Sequence, residues 1–172
     1  LAGPSSRLMS LVANIAASYR RPGDVLGRML AEGAREDRAL ALCMDGCIAM
    51  FVAQWPRLSR EAYLSGDDLQ MLLGGSLSGV VFILPLALYL LAGLSHLLCR
   101  LLGGQGTGFG ARLALFWALV AATPLMLLHG LVAGFIGPGA AKGLIGLAWI
   151  VGFGWIWIAG LRRAEFGAGT GA

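Results

Sequence analysis

Four long runs, interrupted by a single charge, constrain this chain more than anything else in it. They cover Ala39 to Trp55, Met71 to Leu98, Leu113 to Ile136 and Leu144 to Leu161, and Asp45 is the one charged side chain inside them. A helix needs about 20 apolar residues to cross about 30 Å of hydrocarbon. The first run is at the short end of that range and the other three satisfy it fully. With 58% apolar residues in 172, a soluble domain of this size has too little interior to hide such a surface. The expected fold is therefore all-α, a polytopic membrane bundle of about four transmembrane helices, with the lipid bilayer as its first partner.

Ahead of the first run, Leu8, Leu11, Val12, Ile15 and Tyr19 recur at helical spacing, and after Pro22 a second short pattern passes through Val25, Leu26, Met29 and Leu30. Both predict amphipathic helices, lying along the inner membrane surface or packed on the inner ends of the spans. The organisation expected is a cytoplasmic interfacial segment over 1–38, a transmembrane bundle over 39–161 and a short cytoplasmic tail over 162–172. Arg20, Arg21 and nearby acidic residues occupy the place where a cleaved leader would have its apolar core, so insertion is assigned to the first span itself. Met9 is read as a candidate start, and the small-residue stretch Gly167 to Ala172 as an added or processed end.

The basic residues set the orientation. Ten of the thirteen fall before the first run, between the second and third, or after the fourth; only Arg57, Arg60 and Lys142 lie on the other side. The positive-inside rule then places both termini and the Gly103 to Gly110 loop in the cytoplasm. The formal charge of +4 is thus a topology signal, and no nucleic-acid partner is expected. Twelve arginines against one lysine, with abundant Ala, Gly and Leu, suggest a GC-rich bacterial genome and hence a cell inner membrane.

Within the runs, Trp55 and Pro56 should mark the outer exit of the first helix. Gly75 and Gly79 in the second run, and Gly130 and Gly134 in the third, have the small-xxx-small spacing that permits close helix approach. Pro85 and Pro124 should kink their helices in mid-membrane. Gly137, Pro138 and Gly139 turn the chain into the fourth run. The loop GGQGTGFG (Gly103 to Gly110) has neither a preceding strand nor a following Lys-Ser/Thr, so it is read as a mobile turn and not as a phosphate cradle.

Asp45 is the sharpest polar feature, because a carboxylate inside a span costs roughly 3 kcal/mol unless it is neutral, paired or facing a cavity. It is expected to face the bundle, with His96 at comparable depth as a candidate hydrogen-bond or ion-pair partner. His129 is expected to be a satisfied histidine near the outer interface. Cys43 with Cys47, and His96 with Cys99, could together offer four soft ligands to a metal, but neither pair is flanked by supporting acids. The reading is no metal, no cofactor and buried, inert cysteines. No Ser/His/Asp order, His-Glu-x-x-His or paired intramembrane glutamates occur, so no enzyme is expected.

The segment Tyr19 to Leu30 (YRRPGDVLGRML), the stretch Gly110 to Leu128 (GARLALFWALVAATPLMLL) with its mid-span proline, and the Gly-Pro-Gly turn before a last span together resemble the bacterial branch of the Yip-domain membrane proteins. These are relatives of the eukaryotic proteins named for interaction with Ypt/Rab GTPases. The resemblance covers about Ser18 to Phe166. It implies a helical membrane bundle, usually of five spans, with the basic N-terminal segment in the cytoplasm, and no catalytic residues. Only four spans are visible here, and the acidic and aromatic motif of eukaryotic members is absent, so GTPase binding is not carried over. The function expected is that of a non-enzymatic scaffold or accessory subunit, packing on itself or on other membrane proteins. The alternative is a small transporter or proton-conducting protein using Asp45 and His96.

Overall fold

The computed structural model describes residues 4–167, and side chains over 9–167. The apolar position Leu8 and residues 168–172 of the expected C-terminal tail lie outside the described side chains. The described residues form only helices and turns: α1 (Pro4–Arg20), α2 (Pro22–Ala31), α3 (Glu36–Ser65), α4 (Leu69–Ser78), α5 (Leu84–Leu101), α6 (Gly108–Ala121), α7 (Thr123–Phe135) and α8 (Ala140–Phe166), with a π-helical turn (Gly79–Ile83) joining α4 to α5. Three helical stretches are long and apolar enough to cross a membrane: α3, the continuous α4–α5 rod of 33 residues, and α8. The pair α6–α7, bent by 46°, makes a fourth candidate if its two halves form one span.

Proline decides several of these boundaries. At Pro124 the missing N–H and the ring's clash with the previous turn break the third run at Ala122, where the next helix begins. Pro85 acts on the turn before it, which widens so that the Leu84 N–H bonds the Gly79 carbonyl, and the rod continues. Pro56 corrects an expectation. It sits inside α3 and does not end it. The helix runs on to Ser65, with an Arg57–Glu61 pair one turn apart and Gly66 at φ +78° closing it in the left-handed conformation that glycine tolerates. Residues 57–65, beyond the expected exit, are thus helical.

Helix α6 is the centre of the bundle. From Phe109 to Ala121 every residue except Arg112 is buried, as expected of a helix apolar on all sides. Neighbours approach it through small residues: a side chain at Gly46 of α3 would strike Leu119, and one at Gly160 of α8 would press on Leu26 and Ala114. Tyr89 of α5 meets Phe116 edge-on at 5.0 Å. The α2 face Val25, Leu26 and Met29 is buried here too, so the second amphipathic segment belongs to the core.

Helix α1 is tied to the same centre by polar contacts. The Trp117 indole N–H donates to Ser18 Oγ at 2.9 Å, and that buried hydroxyl donates to the Asn14 carbonyl. Tyr19 donates its hydroxyl to the Ala121 carbonyl at 3.0 Å, one of the last carbonyls of α6, which the helix break leaves without an intrahelical partner. Burial pushes the Tyr19 phenol above its usual pKa range.

Of the glycine pairs read as packing surfaces, Gly130 and Gly134 lie so close to α3 that added side chains would run into the backbone of Ala53 and of Pro56. Gly75 and Gly79 correct the reading, since nothing lies within 4 Å of a side chain built on either. The α4–α5 rod turns them outward because Val80, Leu88, Ala92 and Cys99 take the bundle side. Gly130→Val is therefore expected to cost about 1–3 kcal/mol through overpacking and to lower the melting temperature in detergent, followed by circular dichroism. Gly75→Val should stay within about 0.5 kcal/mol. Tyr19→Phe, which removes one hydrogen bond, should cost about 1 kcal/mol by the same measurement.

Candidate functional site

Polar chemistry concentrates at one end of the bundle, where the C-terminal turns of α5 and α8 meet the glycine-rich loop. The end of α5 is a Schellman closure: Gly103 adopts φ +88°, its N–H bonds the Arg100 carbonyl, and the Gly104 N–H bonds the Cys99 carbonyl at 2.8 Å. The chain then crosses the end of α8, where the Gln105 N–H donates to the Glu165 carbonyl at 2.9 Å. Thr107 starts α6 by accepting from the Gly110 N–H at 3.3 Å.

Beneath this loop lies Glu165, fully buried. Its Oε1 stands 2.6 Å from His96 Nδ1 on α5, with one proton between them. Its Oε2 has no hydrogen-bond partner among the described residues. The loop comes this close because it lacks side chains: a Cβ on Gly106 would lie 2.8 Å from Oε2 and on top of the Ala164 carbonyl, and one on Gly104 would lie 3.3 Å from Oε2. The expected mobile turn is instead a packed strap over a carboxylate. Gly108 passes the other side of the ring, 3.9 Å from His96 Nε2 by the same measure.

Glu165 is the residue that reading the sequence missed. It falls in the expected short cytoplasmic tail, whereas Ile156, Gly160 and Glu165 form the buried stripe of α8. Continuing the apolar helical spacing past Arg162 and Arg163 would have put it on the inner face.

The two carboxylates exchange the places expected of them. His96 takes Glu165 as its partner, not Asp45. Asp45 lies on the exposed side of α3, with Cys43, Gly46 and Cys47 turned inward around it, and it has no hydrogen bond or ion pair among the described residues. The tight packing of Gly46 on Leu119 holds α3 in this rotation. A relay from Asp45 to His96 therefore has no geometric basis here. Cys43, Cys47 and Cys99 are buried thiols, but they and His96 do not converge: no group of three or more His, Cys, Asp or Glu is placed to hold a metal among the described residues. His129 lies elsewhere, lining a cavity between α3, α7 and α8, against Gly146.

The same end of the bundle carries most of the charge. Arg112 pairs with Glu36 and Arg38 with Glu32. Arg35 holds Asp37 at 2.8 Å. Arg100, Arg162 and Arg163 are exposed nearby in sequence to the strap and Glu165.

Compared with protein families, residues 16–171 match the model of the Yip1 domain. The chain belongs to the Yip1 domain family. The match takes in everything from the end of α1 through α8, so the Yip1 domain includes the strap, the His96–Glu165 pair and the broken α6–α7 crossing. No curated protein matches the chain, and no solved structure does. The chain is accordingly a multi-pass membrane protein of the Yip1 domain family, with apolar helices suited to a lipid environment.

Removing the buried carboxylate leaves a hole under the strap and a half-buried imidazole without its partner. Glu165→Ala is expected to destabilise the bundle by about 1–3 kcal/mol. Gly106→Val should lift the strap without touching either member of the pair. Limited trypsin digestion of the detergent-solubilised protein should then cut faster at Arg100 and Arg112, and an unchanged digestion pattern would show that the strap is not held by close approach.

Proposed function

We propose that this Yip1-domain protein is a non-enzymatic scaffold or accessory subunit of a bacterial inner membrane, which recruits a second membrane protein or a second copy of itself through the outward face of α3. One observation carries the reading: Asp45. It lies on the exposed side of a spanning helix, about 9 Å in from Ala39 at 1.5 Å per residue, and has no partner among the described residues. A carboxylate so placed costs roughly 3 kcal/mol, and an acceptor or cation on another helix offsets that cost.

The residues around it fit such a contact. Ala41, Asp45, Ile48, Val52, Trp55 and Ser59 form the exposed stripe of α3 at alternating spacings of four and three, the seam of a helix pair crossing at about 20°. The cytoplasmic orientation of both termini is supported by the gathering of Arg28, Arg35, Arg38, Arg100, Arg112, Arg162 and Arg163 toward the strap end, in keeping with the positive-inside rule.

Purification in native lipid discs, followed by mass spectrometry of what accompanies the protein, tests this directly. The unaltered chain should carry a reproducible membrane partner or a second copy, and Asp45→Leu should lose it while melting at the same or a higher temperature. A monomer with nothing attached, indifferent to the substitution, would overturn the proposal.

A further inference from the structure

The opposite end of the bundle holds a second feature, independent of Asp45 and of the strap. Between α3, α7 and α8 lies a cavity of about 270 Å³. Its walls are largely apolar, with Met50, Met126, Ala133 and the Trp149 ring, and with His129, Gln54 and Arg57 as the polar members. The Trp149 ring is stacked on Phe153 at 5.8 Å, and its buried Nε1–H has no acceptor among the described residues. Gln54 is already engaged, accepting from the Ser76 hydroxyl at 3.0 Å.

A second, wider space of about 440 Å³ shares Arg57 and Ala133 with the first and opens among Arg60, Glu61 and Lys142. Three cations thus stand against one carboxylate at the mouth. Glu61 holds Arg57 at 2.9 Å, Arg60 donates to the Gly134 carbonyl, and Lys142 has no partner among the described residues. These are also the three basic residues that the order of the apolar runs sets apart from the other ten. An apolar chamber with one idle buried donor, entered past a basic rim, has the chemistry of an anionic amphiphile turned inside out.

We propose that this chamber binds one acyl chain of an anionic phospholipid. The chain lies against Met50 and Met126, an ester carbonyl accepts from Trp149 Nε1–H, and the phosphate sits at Lys142 and Arg57. The source is the surrounding bilayer, since the chamber lies between spanning helices. Annular lipid is bound without regard to headgroup, whereas this site selects for negative charge and for room at Ala133.

The test is native mass spectrometry of the purified full chain with phosphatidylglycerol and phosphatidylcholine added at equal concentration. The unaltered protein should retain one phosphatidylglycerol, preferred at least ten-fold. R57Q/K142Q, which removes two of the three cations and leaves the apolar walls in place, should keep a lipid but lose the preference. Ala133→Leu, which fills the neck, should lose it altogether. Phosphatidylglycerol with brominated chains should quench the unaltered protein's fluorescence more than that of Trp149→Phe. Equal retention of the two lipids by the unaltered chain overturns the proposal, as does undiminished preference in R57Q/K142Q. Should Ala133→Leu fail to fold, the rim variant and the bromine quenching decide the matter alone.

Discussion

Helix α6 has no face left for lipid, and the rest of the bundle is arranged around that fact. A helix buried from Phe109 to Ala121 except at Arg112 presents alanines outward, so each neighbour can come close wherever it also has a small residue. Between membrane helices there is little hydrophobic gain in exchanging lipid tails for side chains, and close van der Waals packing must supply the attraction instead. Gly46 on Leu119 and Gly160 on Ala114 are two such close approaches. The rotation of α3 and α8 about their axes follows from these contacts, and with it the direction in which every polar side chain on those helices points.

The break at Ala122 makes a further demand. Ending α6 inside the bundle exposes carbonyls that hydrocarbon cannot satisfy, and Tyr19 answers one of them from α1. Ser18 and Trp117 complete each other one turn away. An N-terminal segment that would otherwise float on the membrane surface is thereby built into the domain.

At the strap end, the same economy of small residues works on a loop. Gly104 and Gly106 allow the backbone to lie directly on the Glu165 carboxylate, while His96 holds its other oxygen. The pair joins α5 to α8 and fixes the connection leading into α6, so the central helix is positioned at its start by a buried acid and at its end by a proline.

Much of this was legible in the residues alone, for a definite reason. Hydropathy over about 20 residues answers to the thickness of the bilayer, so the existence of the crossings, the all-helical class and the break near Pro124 needed no partner to be read. The resemblance carried by Tyr19 to Leu30 and by Gly110 to Leu128 likewise pointed to the family that the match over 16–171 established. Helix rotation was not legible, because each turn of a membrane helix is apolar on all sides and the pattern has no polar face to orient it. That left Asp45 assigned inward and Glu165 to the cytoplasmic tail, when only the contact of Gly46 with Leu119 and of the strap with α8 could decide the two. The sequence determined that this chain lives in lipid as a bundle; tertiary packing decided which of its few charges the bundle keeps and which it shows.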